Sequence, residues 1–397
     1  MNTFRIFCWL LLAIAIGACR HPNAGKNWYK GNLHTHSYWS DGDEYPEMIM
    51  DWYKSNGYHF VALSDHNTLA EGERWIRVQE NTISKNGYED YLKKFGDEWI
   101  EYKEDSGRFE VRLKTFDEYR PLFEEPRQFL IIQAEEITDK FEGKPLHMNA
   151  TNIQRLIQPK GGASVAEVLQ NNINSVLEQR NALGVPIMPH INHPNFGYAI
   201  SLQDMLQLKG ERFFEVYNGH PLVNNRGDST HMGTEEMWDQ INISYLKQGK
   251  PLMYGIATDD SHHYHNQGAK YSNAGRGWVM VNADSLDAPS IIQAMERGDF
   301  YASTGVALTQ IAVYDNKLHV EVKAEPNVKY EIEFIGCYKG DDQTRVLFHN
   351  RIIKGEFALT PNLQFVRARV VSTKPMHNPV LPDEMEMAWT QPVVFAN

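Results

Sequence analysis

From Tyr29 onward, short apolar runs alternate with stretches whose apolar residues recur at helical spacing, the pattern of βα units and a largely parallel sheet. Seven apolar runs read as strands, ending near His36, Asp65, Glu136, Asn149, His193, Tyr217 and Asp259. Helical spacing predicts helices over Pro46 to Ser55, Ser164 to Leu183, Gly233 to Leu246 and Ala288 to Arg297. Ser164 and Glu167 stand at capping-box spacing, and Gly184 stops that helix. Leu69 to Arg127 breaks the rhythm. Long, charged and rich in Trp and Tyr, it reads as a partly helical insertion between two strands, a lid or a decoration of the rim. After Gly305 the helical spacing gives way to alternating runs such as "KLHVEVKAE", "KYEIEFIG" and "QFVRARVVS", which predict a small antiparallel β domain over 305–397. No repeat or low-complexity linker separates the two, so they are expected to pack closely.

The first residues have a different grammar. Arg5 precedes an apolar run from Phe7 to Ile16, and Ile16-Gly17-Ala18-Cys19 resembles the lipobox of bacterial lipoproteins. The run is too short to span a bilayer. Residues 1–18 are therefore expected to be an export signal, Cys19 a lipidated residue, and 19–28 a linker, with the protein held by lipid alone and facing the periplasm or exterior. Cys8 would leave with the signal and Cys19 carry the lipid, so Cys337 is the one thiol of the mature domain, with no intramolecular disulfide. A net charge of -12 argues against a sequence-independent grip on nucleic acid, which needs a basic surface.

Candidate chemistry gathers at the strand ends. In "GNLHTHSYWSDGD", period-two alternation puts His34 and His36 on one face, with Asp41 in the turn that follows. "FVALSDHN" ends in Asp65 and His66, "FLIIQAEEIT" in Glu135 and Glu136, "VPIMPHINHP" in His190 and His193, and "LMYGIATDDSH" in Asp259, Asp260 and His262. Apolar strands that each finish in His, Asp or Glu bring those groups together at the C-terminal rim of a barrel. Imidazoles mixed with carboxylates, with no thiolate available, suit Zn, Mn or Fe.

Taken together, His34-Thr35-His36, Asp41, Asp65-His66-Asn67, Glu136, His147, His193-Pro194 and Asp260-Ser261-His262 resemble the motifs of the PHP (polymerase and histidinol phosphatase) family, in order from about Asn32 to Gly305. "ERGDFYASTG" and "AWTQP" are similar to its CehA/McbA-like branch. The resemblance implies an α/β fold, a distorted seven-stranded β/α barrel over 29–304 with the insertion at about 69–127. It implies two or three divalent ions and hydrolysis of a phosphoester by a metal-bound hydroxide. Carried over, it puts His34, His36, Glu136 and Asp260 on a first ion, Glu136, His147 and His193 on a second, and Asp41, His66 and His262 on a third. Ala134 stands where the family has Gly. Glu136 is preferred to Glu135 by that alignment, and Asp260 to Asp259 by its spacing from His262. Asp65, Glu136 and His262 are the expected catalytic set, Asp65 acting by orienting a ligand histidine. Glu215 and Asn218, in "FFEVYNG", either line the pocket or brace a ligand, and Arg276 would bind substrate phosphate through its fork. His263 and His265 fall outside the metal shell. The partner is thus a small phosphoester. Two rivals stand beside it: hydrolysis of a carboxyl ester or carbamate on the same site, and a non-catalytic metal-dependent binding lipoprotein.

Overall fold

The computed structural model describes residues 27–395, so the expected signal peptide and Cys19 lie outside the described residues. Among the described residues no helix is long and apolar enough to cross a membrane. All seven expected strands form, as neighbours in one sheet: Asn27–Asn32, Phe60–Leu63, Leu130–Phe141, Lys144–Thr151, Met188–Ile191, Phe213–Asn218 and Tyr254–Thr258. The first three run parallel, as do the last three. Leu130–Phe141 and Lys144–Thr151 instead form an antiparallel hairpin, and the latter is also antiparallel to Met188–Ile191. The hairpin turns on Glu142 and Gly143, both at positive φ (48° and 80°), the geometry that matches the twist of paired strands. Glu136 therefore lies midway along its strand, not at its end.

The two ends of this seven-strand arc meet just beyond Asn27–Asn32 and Tyr254–Thr258. Thr35 and Ser261 form a parallel bridge, the His36 N–H donates to the Ser261 carbonyl at 3.0 Å, and the Asp260 N–H to that of His34 at 3.1 Å. Helices pack outside. Val165–Leu183 starts on Ser164, whose Oγ accepts the Glu167 N–H at 3.1 Å; the Glu167 carboxylate accepts from Ala163, one residue before the position a full capping box would use. Gly184, at φ 65°, ends it. Val168, Leu169, Ile173 and Val176 of this helix share a core with Ile137, Met148 and Ile191 of the strands. Each such side chain contributes about 1.5–3 kcal/mol on burial.

The insertion contains helices Ile83–Phe95 and Phe116–Phe123 and also a three-stranded sheet, Trp75–Val78, Arg108–Arg112 and Tyr102–Asp105. Tyr88, Tyr91, Val111 and Tyr119 pack with Trp39, Tyr45, Ile49 and Tyr53, so it shares a core with helix Pro46–Ser55. The C-terminal strands continue the main sheet: Trp278–Ala283 pairs with Asn27–Asn32, then follow Phe300–Ser303, Met385–Thr390, Leu363–Pro375, Tyr330–Tyr338 and Arg345–Asn350, all antiparallel. A second sheet, Leu308–Tyr314, Lys317–Val322 and Lys354–Ala358, packs on it through Leu318, Val320, Ile332 and Phe334. The β region is thus continuous with the arc. Gln391 even reaches the edge strand, accepting from the Gly255 N–H at 2.9 Å and donating to its carbonyl at 2.8 Å, as a neighbouring strand would.

Candidate metal centre

Every predicted ligand arrives at one place, the rim where the arc closes. Four-, three- and three-membered groups, His36/Asp41/His66/His262, His34/His193/Asp260 and His34/His36/Glu136, place ligand atoms within 4.8 Å of one another, as does His66/Glu136/His147. Glu136 is the hub. Its Oε1 lies 3.3 Å from His34 Nε2, 3.1 Å from His147 Nδ1 and 3.5 Å from His193 Nε2; its Oε2 lies 3.3 Å from His36 Nε2 and 2.8 Å from His66 Nδ1. Asp260 Oδ1 is 3.2 Å from His34 Nε2, 3.3 Å from His36 Nε2 and 3.6 Å from His262 Nδ1, while Asp41 Oδ1 faces His262 Nε2 at 3.4 Å and His66 Nε2 at 3.5 Å. The Asp41 side chain is 58% exposed and that of His34 fully buried, so the site opens on the Asp41 side.

The groups expected on each ion are therefore neighbours, with one addition. His36 also faces the Asp41, His66 and His262 group and joins it to the buried one. Two of the predicted ligands adopt left-handed backbone, His193 at φ 22° and Asp260 at φ 49°, conformations that cost energy and persist where the surroundings force a side chain into position.

The alignment of adjacent acids agrees with the geometry. Glu135 points the other way and accepts the Ile157 N–H at 2.9 Å; burial raises its carboxyl to about 8. Asp259 is spent on the N–H groups of Arg276 and Gly277, at 2.6 and 2.8 Å, and on the Tyr53 hydroxyl.

Glu215 and Asn218 lie behind the ligands. Glu215 accepts from the His193 N–H, Asn218 Nδ2 and Thr258 Oγ1, each at 2.7 Å, and sits 2.7 Å from His34 Nδ1. Burial opposes its charge, but His34, His190 and His193 outweigh this and hold the carboxyl well below its usual range. A carboxylate can only accept, so His34 carries its proton on Nδ1 and turns the Nε2 lone pair into the site. Asn218 donates to Glu215 and, at 3.1 Å, to Asp260 Oδ2, bracing both. Of the two roles open for this pair, these contacts are those of bracing.

Two expectations change. Asp65 does not touch a ligand histidine: it accepts from the Ser37 N–H and Oγ, both at 2.8 Å, and from Ser40 Oγ at 2.6 Å, and only Ser40 approaches His36 Nδ1, at 3.4 Å. Arg276 is fully buried, and its five N–H donors go to the carbonyls of Asn378, Gly219, Tyr271 and Gly268 and to Asn378 Oδ1, leaving no fork for a phosphate. The reason is local: Gly219, Gly268, Tyr271 and Asn378 turn carbonyls toward one point, and a guanidinium has enough donors to serve them together.

Two residues, Asn192 and His220, were missed, and a third, His190, was read at a strand end without a role. Asn192, between the two histidines of "HINHP", donates to Glu136 Oε1 at 2.7 Å and accepts from the Asn149 N–H, so it orients the hub. His190 is buried with both ring nitrogens unpartnered, Nε2 being 3.7 Å from Glu215. His220 follows Asn218-Gly219, its ring 5.6 Å from those of His262 and Phe196. Burial, against the pull of Asp260, lowers its pKa to about 4. Its place two residues past a strand end was the available signal.

The donor set fits divalent cations. His34 Nε2, His36 Nε2 and Glu136 Oε2 are buried atoms without a hydrogen-bond partner, and convergent unspent lone pairs are what a cation satisfies. Burial disfavours charge on His34 and His66, yet Asp260, Glu136 and Glu215 push the pKa of the first upward, and Glu136 and Asp41 raise that of the second to about 11. The carboxylates thus demand positive charge.

No family model matches the chain, and no curated protein matches it. Solved structures give distant likenesses. One is a two-domain protein of Bacteroides vulgatus containing a predicted PHP-like metal-dependent phosphoesterase, 14% identical, covering 92% of this chain and 96% of that one at a TM-score of 0.40. A candidate metal-dependent phosphoesterase of Bifidobacterium adolescentis is 12% identical over 58% and 87%, at 0.27. An amidohydrolase of Chromobacterium violaceum, holding sulfate and no metal, is 12% identical over 59% and 88%, at 0.29.

Proposed function

We propose that the chain is a divalent-metal-dependent hydrolase of phosphoesters, built on a distorted seven-stranded barrel of the PHP type. The observation that carries this is the convergence of His34, His36, His66, His147 and His193 on one buried carboxylate, Glu136. The sequence motifs resemble those of that family in the same order.

Two or three Zn, Mn or Fe ions held there would supply a nucleophile at neutral pH and stabilise charge on the phosphoryl oxygens. The chain's own groups do the rest. Glu136 bridges the His34, His36 and Asp260 group to His147 and His193; Asp41, His66 and His262 form the outer group, on the side where substrate enters. Glu215 keeps the proton on His34 Nδ1, Asn192 holds Glu136, and Asp65 fixes the Ser37–Ser40 turn that leads to Asp41. Export and lipid anchoring at Cys19 belong to the same proposal, and labelled fatty acid entering the wild type but not Cys19→Ser would support them.

A second reading, cleavage of a carboxyl ester or carbamate, gains from the engagement of Arg276, since such substrates need no guanidinium fork. Metal analysis of protein purified without added ions, followed by assays on nitrophenyl phosphate, a bis-nitrophenyl phosphodiester and a naphthyl ester or carbamate, separates the readings. Turnover of either phosphate substrate supports the proposal; turnover of the ester or carbamate alone replaces it with the second. Silence on all at full metal occupancy leaves a binding protein.

A further inference from the structure

A second cavity, of about 530 Å³, lies between helix Thr234–Lys247 and the C-terminal sheet and includes none of the candidate metal ligands. Small-molecule pockets fall in this range of volume, are mostly apolar, and carry a few placed polar groups. Here Tyr217, Ile335, Met376, Met387 and Trp389 supply the apolar lining, with the rings of Tyr217 and Trp389 stacked at 6.1 Å.

Each arginine around it is paired with a carboxylate. Arg367 donates to Glu235 and Asp239, Arg369 to Glu235 and Glu333, Arg226 to Asp383 and Arg345 to Asp341. Arg367 Nη1 has no partner, but it is sealed from solvent and the guanidinium lies over the Trp238 ring, 4.9 Å from its centroid, so it offers the cavity nothing. The carboxylates, by contrast, are not all paired. Glu236, exposed in the first turn of the helix, meets no described cation. Glu384 is 8% exposed and takes the Val380 and Leu381 N–H groups on Oε2 alone, at 2.8 and 3.0 Å. Its Oε1 accepts from no described group and, unlike Arg367 Nη1, is not sealed. Arg226 feels this charge yet gives its hydrogen bond to Asp383. Counting the lining and its direct partners, seven carboxylates surround four arginines.

We infer that this cavity binds a small, largely apolar organic cation, an ammonium whose charge meets Glu384 while its body lies against Met376, Met387 and Trp389. A cation is favoured because the surplus charge is negative and because the open atom of Glu384 is a carboxylate oxygen, which can only accept. An anion would add to that surplus. A neutral molecule would leave Glu384 shut away from water without a counter-charge. Glu236 contributes a second, solvated negative charge at the helix end. The methionines, flexible and polarisable, let the body vary in shape. The inference stands independently of the metal centre.

Three probes of one shape test it on the full metal-loaded protein by fluorescence titration at neutral pH: 1-pyrenemethylammonium, 1-pyrenemethanol and 1-pyrenecarboxylate. The ammonium is expected to bind saturably at one per chain and about tenfold tighter than the alcohol, the scale of one hydrogen bond between charged groups, with the carboxylate weakest. Met387→Trp fills the cavity and should abolish this binding with melting temperature and metal content unchanged; if that variant fails to fold, Met376→Trp takes its place. Non-saturable binding, or binding that survives a folded filling variant, overturns the site. Equal affinity for the three probes, or a preference for the carboxylate, overturns the cationic assignment. Glu384→Gln keeps an acceptor for Val380 and Leu381 but drops the charge, and should weaken the ammonium about tenfold while leaving the alcohol unchanged. An equal loss for both, or no loss for the ammonium, overturns Glu384 as the group that meets the charge.

Discussion

The molecule buries two clusters of charge, and they are finished differently. Around Arg367, Asp239 and Glu235, nearly every donor and acceptor is consumed by another group of the protein. Around Glu136, imidazole and carboxylate atoms approach at 2.8 to 3.5 Å, yet His34 Nε2, His36 Nε2 and Glu136 Oε2 stay without a hydrogen-bond partner. Burying charge is costly in both. The first cluster offsets that cost internally and fastens helix Thr234–Lys247 to the C-terminal sheet; the second leaves convergent acceptors, which is the signature of a site that expects a cation. Satisfaction of polar atoms, rather than the mere density of charged residues, separates a structural network from a candidate metal centre.

Breaking the hub gives the largest expected effect. Glu136→Gln removes the charge that would offset two ions, so metal content should fall and kcat drop by about 10²-fold or more. Glu135→Gln, on the opposite face, should leave both near normal. The reverse pattern, read by elemental analysis and turnover, would show that the alignment is off by one residue.

The structural cluster should fail in the other currency. Asp239→Asn uncouples Arg367 and is expected to lower unfolding stability by about 3 kcal/mol, seen in denaturant titration, with metal content unchanged. Loss of metal in this variant would mean the two clusters are not independent. Between these extremes lies Glu215→Gln, which keeps the shape behind His34 but removes the charge that fixes its tautomer. Metal affinity should weaken about tenfold in a competition titration with a chelating dye, and unaltered affinity would reduce Glu215 to packing.

The smallest effect concerns pH. Glu211 is buried, accepts from the Phe213 and Arg212 N–H groups, and is raised to about 8 by desolvation. In the unfolded chain it ionises near 4.5. Between those values the folded state holds the extra proton, so its contribution is full below 4.5 and is lost as pH rises toward 8. Glu211→Gln should flatten the decline of melting temperature across that window; an unchanged slope would assign the decline to other groups.

Five of the seven strands were legible because each is an apolar run stopped by a polar group at the rim, a pattern that needs no knowledge of partners. The hairpin was not, since its turn, Glu142-Gly143, is short enough to pass for part of a βα connection, although a residue followed by Gly between apolar runs was a usable hairpin signal. The metal set was legible as a set because its members sit at equivalent places on successive strands. Arg276 misled because a sequence displays its charge and hides its backbone partners. The join between Phe300–Ser303 and Met385–Thr390 was invisible for a related reason: strands paired over so long an interval leave no local trace, and the alternating runs looked self-contained. Asn192 has no charge to draw attention, yet it holds the hub.

The bridge between Thr35 and Ser261 also sets a timetable. His34 and His36 emerge from the ribosome early, and Asp260 and His262, which complete their group, follow only after more than half of the chain has been made. At ordinary synthesis rates that interval is on the order of 10–40 s, during which the group of His34, His36, Glu136 and Asp260 is incomplete. A complete site exists only once the arc has closed, so any ion would be chosen by an almost finished protein from whatever pool surrounds it then, and the place where folding ends, rather than where synthesis begins, would decide which metal this protein carries.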